Sequence, residues 1–265
     1  MKSHTLKSEI RRAALRYARK HDLQIDESHT SALIFKNLCD NFHPRSFGNI
    51  IARPDWKSRT NKPHQTVAGV LEMQSSNSSD ALLMNLFCHP DLRRWKGVRD
   101  LLEENLENIS FGVPVGVFFK GCKADSTEID MAFGSTFFEA KLTESDFTRK
   151  KADLVERYDN LKNAFHVEAL PRVGNDYENY QVIRNILAAL QHNRRHVFLC
   201  DERRPDLVRR YMQVVMSLRK INDRMNCRVI FWQDLVAACG TSLREWIQDK
   251  YGMDDKEHPQ YPSCR

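Results

Sequence analysis

The sequence predicts an α/β fold, and three observations carry that prediction. In the second half, segments with helical spacing (176–192, 205–222, 241–250) alternate with short apolar runs (196–200, 227–232), the pattern of a sheet with helical cover. Three further apolar runs, 113–120, 127–133 and 136–143, read as consecutive strands, the last two joined by Gly134-Ser135, a two-residue turn signal. The chain of 265 residues is 41% hydrophobic and 29% charged, an ordinary globular mixture able to bury a core. At roughly 150 residues per domain, that length makes one large domain or two small ones.

From the N-terminus, residues 5–21 place Leu6, Ile10, Ala13, Ala14, Tyr17 and Ala18 at helical spacing among bases, a basic amphipathic helix. A second helix is expected over 31–42, stopping before Pro44. Pro44, Gly48, Pro54 and Pro63 make the stretch to about 65 an irregular basic loop. Ser79 or Asp80 can cap a helix that starts at Ala81 and carries Leu82, Leu83, Leu86 and Phe87. Another helix is expected over 91–108, and a long polar one over 146–165, after the three strands.

Several function classes are excluded. No run approaches the roughly 18 apolar residues of a membrane span; the longest, 113–119, contains Pro114 and Gly116. The first twenty residues lack the central apolar block of a secretory signal, so a cytoplasmic protein is expected. Cys39, Cys88, Cys122, Cys200, Cys227, Cys239 and Cys264 form no CxxC pair and are odd in number. Free thiols of a reducing compartment are expected rather than a disulfide framework or zinc site. The one HxxxH pair, His192 and His196, straddles a helix end and a strand start, which does not put both rings on one helical face.

The formal charge is +6, from 41 Lys and Arg against 35 Asp and Glu. Bases gather in the first twenty residues and again in 44–63, where Arg45, Arg53, Lys57, Arg59 and Lys62 surround Trp56 against Asp55 alone. Such a patch is either solvated surface or a phosphate-facing one. Arg53, Lys57, Arg59 and Lys62 are the candidates for nucleic-acid contact, and charge alone does not decide the matter.

The chemistry lies in the hairpin. If Gly134-Ser135 closes it, Phe133 faces Thr136, Met131 faces Phe138 and Ile129 faces Ala140 on an almost wholly apolar side. On the other side Ala132 faces Phe137, Asp130 faces Glu139 and Glu128 faces Lys141. Directly opposed residues have Cβ atoms about 4.5–5.5 Å apart, and like charges there destabilise the pair. Asp130 and Glu139 therefore need a compensator. A divalent cation such as Mg²⁺ supplies it, needing one or two carboxylates with water and substrate phosphate. Lys141 would orient or deprotonate a water, or stabilise charge on a phosphate. The competing reading is a solvent-facing hairpin with a Glu128–Lys141 ion pair.

This segment resembles the PD-(D/E)xK nuclease superfamily, the restriction-endonuclease-like proteins, over about 75–200. In that pattern an Asp on one strand is followed on the next by acid-x-Lys, matched here by Asp130, then Glu139, Ala140 and Lys141. Thr127-Glu-Ile-Asp130, Phe138-Glu-Ala-Lys141 and Ser78-Ser-Asp-Ala-Leu-Leu-Met-Asn-Leu-Phe87 are similar to one subgroup, which more often has Gln where Asp80 stands. Ile129 replaces the Pro of the pattern, at a place that carries no chemistry. The resemblance implies a central mixed β-sheet flanked by helices, here with an N-terminal helical extension. It also implies Mg²⁺-dependent hydrolysis of phosphodiester bonds in DNA, with Mn²⁺ able to substitute. Asp130, Glu139 and the Ala140 carbonyl would hold the metal, and Lys141 would act on the attacking water. Glu128, Asp80 and Gln181 are supporting candidates. Many members add an acid on an upstream helix, a role for which Asp80, Glu103, Glu104 and Glu107 compete.

The expected organisation is a basic extension at 1–70, a nuclease-like domain at 71–252 and a flexible tail at 253–265. The leading expectation is an endonuclease of restriction, defence or repair type, for which a homodimer would suit cutting of both strands. The alternative is a catalytically silent nucleic-acid-binding module that retains the fold. A third reading makes the hairpin plain surface of an interaction protein that binds no divalent cation.

Overall fold

A five-stranded mixed sheet organises the chain in the computed structural model, which describes residues 3–30, 32–121 and 124–253. Ahead of the sheet come helices α1 (Ser3–Lys20), α2 (Pro44–Ala52), α3 (Pro54–Arg59), α4 (Ser79–Phe87) and α5 (Lys96–Leu102). The strands are β1 (Ser110–Phe118), β2 (Ala124–Phe133), β3 (Thr136–Ala140), β4 (Arg195–Cys200) and β5 (Cys227–Phe231). Helix α6 (Tyr180–Gln191) lies between β3 and β4, α7 (Pro205–Met216) lies between β4 and β5, and α8 (Trp232–Ala237) and α9 (Thr241–Tyr251) follow. The strand order is β5-β4-β3-β2-β1, antiparallel through β1, β2 and β3, and parallel across β3–β4 and β4–β5. Parallel neighbours need a crossover, and the two helical connections provide it. This is the mixed sheet between helices that the sequence predicts, with a helix at the N-terminal end.

The sheet is covered on both sides, which is why β4 is apolar without interruption from Val197 to Cys200. On β4, Val197 and Leu199 join one core with Leu82, Leu83, Phe87, Phe138 and Trp232. Phe198 and Cys200 join the other with Val182, Ile183, Ile186, Leu187 and Tyr211. Helix α1 buries Leu6, Ile10, Ala13, Ala14, Tyr17 and Ala18, as their spacing predicts. It is tied to α9 by the Trp246 Nε1–H donating to Tyr17 Oη at 2.8 Å.

Four expected elements differ. The helix expected over 31–42 is replaced by Ile34–Phe35 paired with Ile25–Asp26, then a 3₁₀ turn at Leu38–Asn41. Ala32, Leu33, Ile34 and Phe35 are all buried, and four consecutive buried residues cannot share one helical stripe. The expected loop at 44–65 contains α2 and α3, because Pro44 and Pro54 open helices instead of breaking them. The helix expected over 91–108 is a 3₁₀ turn followed by α5, which ends where Glu103 takes a left-handed φ of 53°. The long helix expected over 146–165 becomes a strand, Arg149–Lys151, and two one-turn helices, Ala152–Val155 and Leu161–Ala164. That strand pairs with Asp176–Glu178, so a partner distant in sequence overrode local helical propensity, and α6 starts only at Tyr180.

Cys39, Cys88, Cys200, Cys227 and Cys239 are free thiols, while Cys122 and Cys264 lie outside the described residues. Of the expected tail, Met253 is buried in the core and 254–265 lie outside the described residues. Among the described residues no helix is long and apolar enough to cross a membrane.

Candidate active site

The turn between β2 and β3 is pinned from outside. Gly134 has φ 53°, and a Cβ there would collide with the Glu104 carboxylate. Glu104 Oε1 accepts from the Ser135 N–H (3.0 Å), the Ser135 hydroxyl (2.6 Å) and the Thr136 hydroxyl (2.7 Å), and pairs with Arg195 at 2.9 Å. Phe133 faces Thr136, Ala132 faces Phe137 and Met131 faces Phe138, the register the turn predicts.

There the ladder ends. The expected rungs Asp130–Glu139 and Glu128–Lys141 are not formed, because β3 stays with β4 while β2 leaves. Glu139 and Ala140 remain opposite Phe198 and Leu199, and the Lys141 N–H donates to the Leu199 carbonyl at 2.9 Å. Main-chain groups alternate in direction along a strand, so the N–H and carbonyl of Ala140 face β2. Asp130 Oδ2 receives that N–H at 2.8 Å. On β2, Ile129 packs in the α6 core whereas Met131 and Phe133 pack in the α4 core, so the strand rolls over at Asp130. Neighbouring β1 rolls at Gly112, whose φ of 59° separates Phe111 on one side from Val113 and Val115 on the other. Only glycine takes that φ without strain, and a Cβ at Gly112 would also strike the Arg59 guanidinium.

Two residues on one face of α6 hold the β3 end of the opening. Glu139 Oε2 accepts from Asn185 Nδ2 at 2.7 Å, and the Thr127 hydroxyl donates to Asn185 Oδ1 at 3.0 Å. Lys141 Nζ lies 3.0 Å from Glu139 Oε1 and donates to Gln181 Oε1 at 2.9 Å. Gln181 and Asn185 are four apart and so neighbours on the helix surface. Glu139 Oε1 is buried and faces the Lys141 ammonium as an ion pair.

Burial, then the charges of Glu139 and Asp80, push the Asp130 pKa well above the usual carboxylate range. Burial raises that of Glu139 as well, against the opposing pull of Lys141. For Lys141, burial alone would lower the pKa, but Glu139, Glu144 and Asp130 outweigh it and hold the group as an ammonium.

These features fit a small divalent cation: the buried Glu139 carboxylate close enough to the half-buried Asp130 carboxylate for their charges to repel, and a carbonyl facing the gap. Hard oxygen donors of that number suit Mg²⁺ completed by water and phosphate. Among the described residues no three His, Cys, Asp or Glu side chains converge at metal-binding spacing.

Of the four competing upstream acids, Asp80 is the one whose charge reaches Asp130. Its Oδ2 is 2.7 Å from Arg59 and 3.5 Å from Lys62, and Arg59 also reaches Glu128 at 2.7 Å. Glu104 is spent on the turn, and Glu103 pairs with Arg195 and Arg228. Glu107 lines a separate cavity with Phe137 and Arg194. Among the expected nucleic-acid contacts, Arg59 and Lys62 are thus engaged by acids. Arg53 stacks over Trp56 at 3.9 Å while pairing with Asp55, and Lys57 is exposed. His196 is buried against Tyr211 and His192 sits by Phe137, without a shared site.

Sequence reasoning missed Asn185, Arg184 and Glu144. The first two follow Gln181 by four and three residues, a helical spacing that could have found them. Glu144 accepts from the Leu142 N–H at 2.7 Å and from the Ser79 hydroxyl at 2.8 Å, the second a contact with no local signature.

A mixed sheet of this order, flanked by helices, is compatible with the restriction-endonuclease-like class. The chain belongs to the family described as Restriction Endonuclease associating with ARP, whose model matches residues 10–252. No curated protein and no solved structure matches the chain.

Proposed function

We propose that the chain is a metal-dependent endonuclease that hydrolyses phosphodiester bonds in DNA, in restriction, defence or repair. The observation that supports this best is the parting of β2 from β3 beside Asp130, Glu139 and Lys141. The two carboxylates and the Ala140 carbonyl would hold Mg²⁺, with Mn²⁺ able to substitute. When bound, the cation supplies positive charge that polarises the scissile phosphate and favours hydroxide as nucleophile.

The side chains supply the rest. Lys141, an ammonium steadied by Gln181, donates toward the attacking water or the phosphate oxygens and offsets charge gathering there. Asn185 holds Glu139 in one orientation. The water oxygen bonds to phosphorus as the ester P–O bond breaks; one proton leaves the water and one reaches the departing oxygen. Asp80 and Glu128, held by Arg59, support the Asp130 end.

We read 71–252 as the nuclease-like part, 1–70 as an extension seated on it through α1 and α3, and the residues after Met253 as a tail. Work on duplex DNA suits a homodimer, in the cytoplasm, with ARP as the associated partner that the family description names.

The test is incubation with supercoiled plasmid, linear duplex, single-stranded DNA and RNA, in Mg²⁺, Mn²⁺ or chelator. Cleavage of DNA that needs metal and is lost in Asp130→Asn and Lys141→Met supports the reading. Salt-sensitive binding without cleavage under any divalent cation would leave the silent nucleic-acid-binding module in its place.

A further inference from the structure

The most informative cation near the acids is one the motif does not contain. Arg184 lies on α6, three residues after Gln181 and next to Asn185, and its charge acts on Glu139. Its Nε–H is buried and donates no hydrogen bond, and its guanidinium makes no ion pair with a described residue. Arg59, by contrast, is shared by two acids.

A buried N–H without an acceptor is costly, and the rest of this half-exposed guanidinium is open to a ligand that brings acceptors. Arg184 is nevertheless held in place, its guanidinium carbon 5.2 Å from the Tyr180 ring centroid. That ring is itself fixed, the Tyr180 hydroxyl lying 2.7 Å from the Tyr158 hydroxyl and 3.1 Å from Asp125 Oδ2. Lys150, exposed on the Arg149–Lys151 strand, places its Nζ 5.6 Å from the same ring. Lys150 makes no ion pair with a described residue. Two cations without acid partners thus lie about one fixed aromatic ring, leading away from the Glu139 end of the site.

We propose that Arg184 and Lys150 form a phosphate clamp that seats the nucleic-acid backbone beside the scissile bond. The clamp rests on the nuclease reading. Arg184 is the inner, fork-shaped contact, since its planar donors match two phosphate oxygens at once. Lys150 is the outer point charge. The backbone then crosses the N-terminal half of α6 and not the α3 segment, where Arg59 and Lys62 are already paired with acids.

The test measures binding of a fluorescent duplex and a single strand by anisotropy, in Ca²⁺ in place of Mg²⁺, over a series of salt concentrations. Each phosphate that a base neutralises on duplex DNA adds about 0.9 to the steepness of the log–log salt dependence. We expect Arg184→Ala to weaken binding roughly tenfold or more, the effect of removing a charged hydrogen bond, and to flatten the slope by about 0.9. Lys150→Ala should flatten it similarly with a smaller drop in affinity. Arg184→Lys should keep the slope and still bind less well.

Melting and circular dichroism establish that each variant is folded; should Arg184→Ala fail, Arg184→Lys and Lys150→Ala decide. Wild-type affinity and slope in the folded variants would overturn the clamp while leaving the nuclease reading intact. A wild-type protein that neither binds nor cuts nucleic acid would overturn both.

Discussion

The Asp130 carboxylate accepts the Ala140 N–H at 2.8 Å, in the place where a β2 carbonyl would otherwise close the next rung. A side chain thus ends the ladder, and the same side chain sits among the acids of the candidate site. Asp130→Asn can keep this hydrogen bond through its amide oxygen while losing the charge. Cleavage should fall by at least about 10–100-fold, the range seen for groups that support a metal. The metal-free protein should melt higher, because one of two crowded acids is gone. Mg²⁺ or Mn²⁺ should raise the melting temperature of the wild type and not of the variant. A variant that melts lower and cleaves normally would remove Asp130 from the site.

Lys141→Met should lower cleavage by about 10²–10⁴-fold, the contribution typical of a positioned group acting on a reacting proton or charge. Its flexible apolar chain fills the same space, so binding of Mn²⁺ by calorimetry should persist. Loss of Mn²⁺ binding together with activity would make Lys141 a structural counter-ion to Glu139 instead.

Asn185→Ala leaves Glu139 Oε2 buried without its 2.7 Å partner. A loss of about 1–3 kcal/mol of stability is expected from the uncompensated acceptor. Cleavage should fall with metal requirement unchanged, since Asn185 positions Glu139 and need not touch substrate. Urea denaturation and a metal titration of activity read the two effects separately.

Arg59 and Asp80 are nearly enclosed, their side chains 9% and 6% exposed. Arg59→Ala leaves Asp80 with only the longer Lys62 contact at 3.5 Å and should destabilise the fold by about 2–4 kcal/mol, toward the cost of breaking a buried pair. Lys57→Ala, on the exposed side of the same helix, should stay within about 0.5 kcal/mol of wild type. Chemical denaturation of both variants checks the contrast, and equal stability would show that Arg59 is not structural.

The pin at the turn is pH-sensitive. Burial would raise the Glu104 pKa, but hydrogen bonds from Ser135 and Thr136 and the Arg195 pair bring it down to about 2. A depressed carboxylate adds stability that is fully present above its ordinary value of 4.5 and lost as the pH falls to about 2. Glu104→Gln should cost roughly 1–2 kcal/mol at pH 7 after allowance for solvent screening. The gap should close on acidification through that window. Parallel thermal melts across it provide the measurement, and a gap independent of pH would disprove the charge-based account.

Much of the architecture was legible in the residues because it follows from local rules. Alternating apolar runs gave the strands, Gly134-Ser135 the turn and the first three cross-strand pairs, and helical spacing the buried face of α1. The elements that escaped depended on distant partners. Arg149–Lys151 is a strand because Asp176–Glu178 lies beside it, and Ile34–Phe35 because Ile25–Asp26 does.

The amino-acid order by itself determined that Asp130, Glu139 and Lys141 lie toward one end of the hairpin, since a two-residue turn leaves β2 and β3 one register as far as Met131 and Phe138. Only the folded chain decided how they meet. Leu199 on β4 keeps β3 in the sheet, Gly112 on β1 lets the neighbouring pair roll over, and α6 supplies Asn185 and Gln181 to hold what is left in the gap. Those contacts join residues tens of positions apart, and no spacing rule records them. Charge shows the same division: the bases of 44–63 are visible in the sequence, but whether a base is free or already paired depends on which acids the fold carries to it.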